Sequence, residues 1–264
     1  MSPSGPEVRK YDRLRVEIHA SSESLAQAAA TRAASLLADA IESRGTARVV
    51  LATGNSQLEF FRTLRQLDSG DWSVDWSKVE AFHMDEYLGI GEAHVASFRR
   101  FLRREVVEPL GLGEFHGIEG DPESAEETIE RYSALLSAKS VDLCCMGIGE
   151  NGHLAFNDPP GVDFDDPQLL RVVALDEVSR QQQVGEGHFP EISAVPTHAI
   201  TLTIPALLSA RHIIVIAPED RKAEAVHKAL EGAIDPSCPA SILRTAGHAN
   251  LYLDVASARL LERR

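Results

Sequence analysis

The segment Gly147-Ile148-Gly149-Glu150-Asn151-Gly152-His153-Leu154-Ala155-Phe156-Asn157-Asp158-Pro159 gathers more reactive side chains than any other stretch of the chain. Its glycines allow a loop that projects His153, with Asn151 and Asp158 beside it. A histidine near a carboxylate is suited to relaying protons around neutral pH. A second group, His83-Met84-Asp85-Glu86, leaves a short apolar run. Adjacent carboxylates at such a place are costly unless exposed or used. One can serve as a general base while the other tunes its pKa. Asp85 is the candidate base, and Glu86 is also a candidate for binding substrate. A third group, Thr53-Gly54-Asn55-Ser56, joins an apolar run to a helical pattern. Gly54 permits close backbone approach, the three neighbours add side-chain donors, and the following helix start supplies free N–H groups and a positive dipole end. Together these make an anion site. Lys222, in the first turn of another helix, is the natural cation for it, because lysine there opposes the dipole. A solvated acidic loop, an ordinary strand–helix turn and a solvated lysine are the plain structural alternatives for these last three groups.

Other chemistries fit these residues less well. The run from Gly147 contains a literal G-x-G-x-x-G after a strand, but Asn157-Asp158-Pro159-Pro160-Gly161 blocks the helix that a dinucleotide pyrophosphate needs. The anion loop is not a P-loop, since no Gly-Lys-Ser/Thr follows. No histidine pair has metal-ligand spacing with an acidic partner, and no G-x-S-x-G elbow occurs. The expectation is therefore no cofactor and no metal.

The elements that must position these residues alternate between strand and helix. Residues 13–18 alternate in polarity and read as an edge strand. Residues 22–44 read as a helix capped by Ser22 and stopped by Gly45. Buried strands are expected at 47–52, 79–83 and 141–148, and further strands at 170–175, 199–204, 212–217 and 250–255. Helices are expected at 57–67, 96–107 and 219–231, and another opens at Asp121-Pro122-Glu123. Such alternation implies an α/β fold in three layers, a mostly parallel sheet with helices on both faces. Ligands then sit beyond the carboxyl ends of the strands, so the loops after 52, 83, 148 and 217 are where the site should lie. No repeat or linker divides the chain, and residues 1–264 read as a single domain.

Composition narrows the partners. The net charge of −14 over 264 residues argues against nucleic acid and against an anionic membrane surface. Hence any phosphate must be held by local N–H groups and a few placed cations. Cys144, Cys145 and Cys238 suit core packing better than a disulfide framework. The N-terminal residues carry no apolar run, no stretch approaches a membrane span, and a cytoplasmic location is expected. The sequence leaves a homo-oligomer and allosteric control open.

Three blocks carry a family resemblance: Leu51-Ala-Thr-Gly-Asn-Ser56, Phe82-His-Met-Asp-Glu-Tyr-Leu-Gly89 and Gly147 to Pro159. Later blocks agree, namely Pro196-Thr-His-Ala-Ile-Thr-Leu-Thr203, Lys222-Ala223 and Pro239-Ala-Ser-Ile-Leu243. Over nearly its whole length the chain resembles the glucosamine-6-phosphate deaminase/isomerase family. The related 6-phosphogluconolactonases usually carry Asp-Glu-Arg and Gly-His-Thr-Ala-Ser where this chain has Asp-Glu-Tyr and Gly-His-Leu-Ala-Phe, so a lactonase is the second reading. The resemblance implies a modified Rossmann-like fold that binds no NAD, and conversion of an amino-sugar 6-phosphate to the ketose phosphate and ammonia. It implies Asp85 as the base moving a proton between C2 and C1, His153 as the ring-opening group, and Asp158 as its partner where the family usually has Glu. It also implies Thr53 to Ser56 and Lys222 as the phosphate site. Asn151 stands where the well-known deaminases have Asp. Arg180 is the candidate for the family's arginine clamp, with Gln181, Gln182 and Gln183 as alternative occupants of that place. Galactosamine 6-phosphate, isomerisation without deamination, and a non-catalytic phosphosugar sensor are the remaining alternatives. A sensor of this scaffold would usually add a DNA-binding segment, for which the N-terminus has no room.

Overall fold

The computed structural model describes residues 5–67, 74–185 and 187–262. Residues 1–4, part of the N-terminal stretch read above for a leader, lie outside the described residues. The first strands are Glu7–Tyr11 (β1), Leu14–His19 (β2), Ala47–Leu51 (β3), Val79–His83 (β4), Asp85–Tyr87 (β5) and Glu114–His116 (β6). Leu143–Gly147 (β7), Leu170–Ala174 (β8), His198–Leu202 (β9), His212–Ala217 (β10) and Ala249–Asp254 (β11) follow. The helices are Ser22–Arg44 (α1), Leu58–Leu67 (α2), Phe98–Leu102 (α3), Glu108–Leu110 (α4), Ala125–Ser137 (α5), Glu177–Gly185 (α6), Ile204–Leu208 (α7) and Ala223–Glu231 (α8).

Eight strands form one sheet in the order β1-β2-β11-β10-β7-β3-β4-β6, parallel throughout except for the β1–β2 hairpin. Its central strands are apolar on both sides because both sides are covered. Val49, Leu51, Leu143, Cys145, Ile214 and Ile216 pack in one core with residues of α1 and α2. Their neighbours Val50, Cys144, Met146, Ile213 and Val215 pack in the other with residues of α5, α7 and α8. Alternate side chains along a strand point to opposite faces, so continuous apolar runs give the three layers. The cysteines sit in these cores, where burial pushes the Cys145 thiol well above its usual range.

Several expectations need correction. The strand over 13–18 is not at the edge, because β1, which sequence reading omits, pairs outside it. Ser21 rather than Ser22 caps α1, accepting from the Ser24 N–H over 3.3 Å while Ser24 Oγ accepts from the Ser21 N–H over 3.1 Å. The helix expected over 96–107 begins at Phe98 with Ser97 as cap, and passes through a wider turn, Arg103–Val107, before α4. Pro109 has no N–H for the carbonyl of Glu105, which accepts from Arg65 instead. The strands over 170–175 and 199–204 do not enter the parallel sheet. They join β5 in an antiparallel sheet of order β5-β9-β8. Alternating exposure along β8 fits a sheet with one wet face.

Candidate active site

One pocket takes its walls from the four loops singled out above. Thr53 to Gln57 after β3, Met84 and Asp85 after β4, Gly147 to Gly149 and His153 after β7, and Lys222 after β10 all line it. Parallel strands carry their carboxyl ends to one side of the sheet, which is why segments so far apart in sequence converge there.

The anion loop is shaped by Gly54. Its φ of 104° and ψ of 166° suit glycine alone, and from there Asn55–Gln57 turns into α2. Gln57 is buried, and a side chain at Gly147 would come within 3.2 Å of its Nε2. Lys222, 3% exposed, ends the short turn Asp220–Lys222 and faces this loop's pocket. Buried lysine costs desolvation, which a bound anion would offset.

The glycine-rich loop folds back on itself instead of opening a helix. Gly152 donates to the Gly149 carbonyl over 3.0 Å, and Gly149 donates to the His153 carbonyl over 3.0 Å. A Cβ on Gly149 would lie 2.3 Å from atoms of the His153 ring. The glycine thus vacates the space that the imidazole fills. His153 Nδ1 lies 2.9 Å from Asp158 Oδ1. Asn151 spans the pair: its Oδ1 accepts from the His153 N–H over 3.0 Å and its Nδ2 donates to Asp158 Oδ1 over 2.9 Å. Ser179 Oγ donates to the same oxygen over 2.6 Å and lies 3.4 Å from His153 Nδ1. Burial opposes the Asp158 charge. The hydrogen bond and charge of His153, with bonds from Asn151 and Ser179, outweigh it and hold the carboxyl below its usual pKa. Asp158 is therefore an ionised orienter of His153 at neutral pH.

Asp85 is the opposite case. It is buried in the pocket wall, and burial, the neighbouring Glu86 and the charge of Asp158 push its carboxyl well above the ordinary range. Two carboxyls of one site are thus separated in affinity for protons, the usual mark of divided acid and base roles.

The structure does not bring every candidate into the pocket. Glu86 is fully buried outside its walls. Its carboxylate accepts from Ser97 Oγ over 2.9 Å and from the N–H groups of Tyr87, Phe98 and Arg99 over 3.0–3.1 Å. Burial raises its pKa against these bonds. Glu86 therefore anchors the start of α3 beside Asp85 and does not face a ligand. Arg180 also turns away, donating Nη2 to the carbonyls of Ile192 and Val195 over 2.7 and 2.9 Å. Gln182 and Gln183, from the same helix, line the pocket with His188. Of the glutamine run, Gln181 does not. Asn151 and Asp158 act behind His153, not in the wall.

Sequence reading missed Ser179, Gln57 and His188. Ser179 had one usable signal: 179, 182 and 183 share a face of a helix. Nothing local marks Gln57 or His188. His83 is structural: its Nε2 accepts from the Ile118 N–H over 2.7 Å, and burial with nearby Arg99 lowers its pKa to about 3. Among the described residues, Glu80, Glu114 and His116 have ligand atoms close enough for a metal ion, but they stand at the far edge of the sheet. Glu80 is already paired with buried Arg48 over 2.8 Å.

Comparison with known proteins places this geometry. Residues 20–253 match the model of the family described as glucosamine-6-phosphate isomerases/6-phosphogluconolactonase. A glucosamine-6-phosphate deaminase of Streptomyces avermitilis is 38% identical over 218 residues, 80% of each chain. One from Bacillus thuringiensis is 32% identical over 219 residues, covering 83% of this chain and 80% of its own. Among solved structures, a monomeric glucosamine-6-phosphate deaminase superposes with a TM-score of 0.83 at 30% identity, over 93% of this chain and 99% of that one. A 6-phosphogluconolactonase from Shewanella baltica shares the fold with a TM-score of 0.71 at 22% identity, over 90% of this chain and 96% of its own.

Proposed function

The chain belongs to the glucosamine-6-phosphate isomerase/6-phosphogluconolactonase family, and from that premise we propose that it deaminates and isomerises a 2-amino-2-deoxyhexose 6-phosphate. Glucosamine 6-phosphate plus water gives fructose 6-phosphate and ammonia. The observation that carries this reading is the convergence, in one pocket, of the Thr53–Ser56 loop and Lys222 with Asp85 and the His153–Asp158 pair.

The phosphate takes the N–H groups at the start of the 55–67 helical segment and the Lys222 ammonium. His153, oriented by Asp158, passes a proton to the ring oxygen as the sugar opens. Asp85, once ionised, removes the C2 proton and returns it at C1. The substrate's own ammonium group beside Asp85 favours that ionised form. The product of this transfer is a 2-imine, to which water adds. Its oxygen remains as the C2 carbonyl and the nitrogen departs as ammonia. Asn151 orients the imidazole loop and cannot exchange a proton as a carboxylate would. Gln182 and Gln183 offer neutral amides where Arg180 is withdrawn. The same reading takes residues 1–264 as one cytoplasmic domain acting on a small phosphosugar, without nucleic acid or a lipid surface.

Initial rates on glucosamine 6-phosphate, galactosamine 6-phosphate and 6-phosphogluconolactone test the assignment. The amino sugars should turn over and the lactone should not. Rapid lactone hydrolysis without ammonia release from either amino sugar would overturn it.

A further inference from the structure

Glu219 occupies a backbone region that is essentially restricted to glycine. Its φ is 77° and its ψ is 148°. A residue with a side chain persists there only where its surroundings over-determine it, and such residues gather at functional sites. The surroundings do so here. The Glu219 N–H donates to Asp254 Oδ2 over 3.1 Å, and its carbonyl accepts from the Lys222 N–H over 3.0 Å. Asp254 is itself fixed, buried at the end of β11 and accepting from the Ser257 N–H over 2.8 Å through its other oxygen.

The side chain makes a connection that glycine could not. Glu219 Oε2 accepts from Arg221 Nε over 2.6 Å, and Arg221 Nη1 donates to Glu150 Oε1 over 3.2 Å, 71 residues away. Glu150 lies in the loop that presents His153, and Arg221 lies next to Lys222. The chain of contacts therefore joins the turn that carries the pocket lysine to the loop that carries the pocket histidine.

We propose that Glu219 is a positioning residue for the phosphosugar site. Its strained turn aims Lys222, and its carboxylate, through Arg221, holds that turn in register with the Glu150–His153 loop. The inference rests on the reading of Lys222 as the phosphate-binding cation. A glycine at 219 would relieve the strain and break the tie, so its effect falls on substrate affinity and not on folding.

Glu219→Gly, Glu219→Gln and Lys222→Ala in the full chain test this, with kcat, KM for glucosamine 6-phosphate and the thermal midpoint measured at low and high salt. Glu219→Gly should be at least as stable as the wild type, yet raise KM about 2- to 5-fold at low salt, the range for partly exposed charge pairs. Glu219→Gln keeps an acceptor and should fall between them. The gap should narrow at high salt, because screening weakens the tie in the wild type. A glutamate that served only the fold would give no such salt response. An unchanged KM in Glu219→Gly, with Lys222→Ala raising it, overturns the positioning role and leaves the phosphate reading standing. If Lys222→Ala leaves KM unchanged too, the phosphate reading has failed and the positioning role falls with it.

Discussion

Replacing Asp85 with Asn should make the protein more stable and nearly inactive. In the folded chain, burial and the nearby Glu86 and Asp158 hold the Asp85 carboxyl well above its ordinary value of 3.8. A carboxyl of this kind binds its proton more tightly in the native state than in the unfolded chain. Its contribution to stability is fully present below the unfolded value and is lost as the pH rises through the folded one. At neutral pH the wild type therefore carries the cost of a buried acid that the unfolded chain ionises freely. Asn keeps the shape without that cost. Each unit of separation between the two pKa values is worth about 1.4 kcal/mol, or roughly 3–5 °C in a protein of this size. Thermal melts of both proteins across pH should coincide near pH 3 and diverge as the pH rises, with the variant higher. Activity should move the other way, with kcat falling by about 100-fold or more as the base is removed. The acid limb of the wild-type kcat/KM profile should lie above the ordinary carboxylate range. Wild-type stability that rises relative to the variant with increasing pH would refute the reasoning, as would a variant with near-normal turnover.

The other predictions concern the phosphate, the relay and the anchor. Lys222→Ala should raise KM for phosphorylated sugars by about 10-fold or more, the value of one charged hydrogen bond at roughly 1.5–3 kcal/mol; equal turnover of sugars with and without the phosphate would remove the anion site from the account. Asn151→Asp places a second carboxylate beside Asp158, so their titrations should couple and the pH profile should broaden or gain a step; an unaltered profile would put position 151 outside the relay. Glu86→Gln sets an amide against the donors of Ser97, Phe98 and Arg99 and should lose about 1–3 kcal/mol in urea unfolding, with KM little altered; a large KM effect with unchanged stability would return Glu86 to substrate binding.

Much of the scaffold was legible because its signals are local. The runs at 47–52, 79–83 and 212–217 are short, largely buried and rich in apolar residues, and a parallel sheet covered on both sides needs such runs. The convergence of four loops followed from the fold class. What escaped depends on contacts between distant segments. Asp85 lies in a three-residue strand that forms only because β9 offers it a partner 116 residues away in register, Asp85 opposite Thr201. That pairing moves 170–175 and 199–204 out of the main sheet, and no periodicity in either segment announces it. Glu86 and Asp85 look equivalent in sequence, yet alternation in β5 turns one into the pocket and the other into the core beside α3. Arg180 and Gln183 differ likewise by their positions around one helix, α6, to which the sequence reading assigns no element.

The central claim is that one site removes nitrogen and moves the carbonyl in a single reaction. It is tested most directly by following glucosamine 6-phosphate by NMR while measuring ammonia in the same sample, with wild type and Asp85→Asn side by side. Fructose 6-phosphate and ammonia should appear one for one with the wild type and be lost together in the variant. Ketose phosphate without ammonia, or one-for-one production that survives the loss of Asp85, would contradict the account.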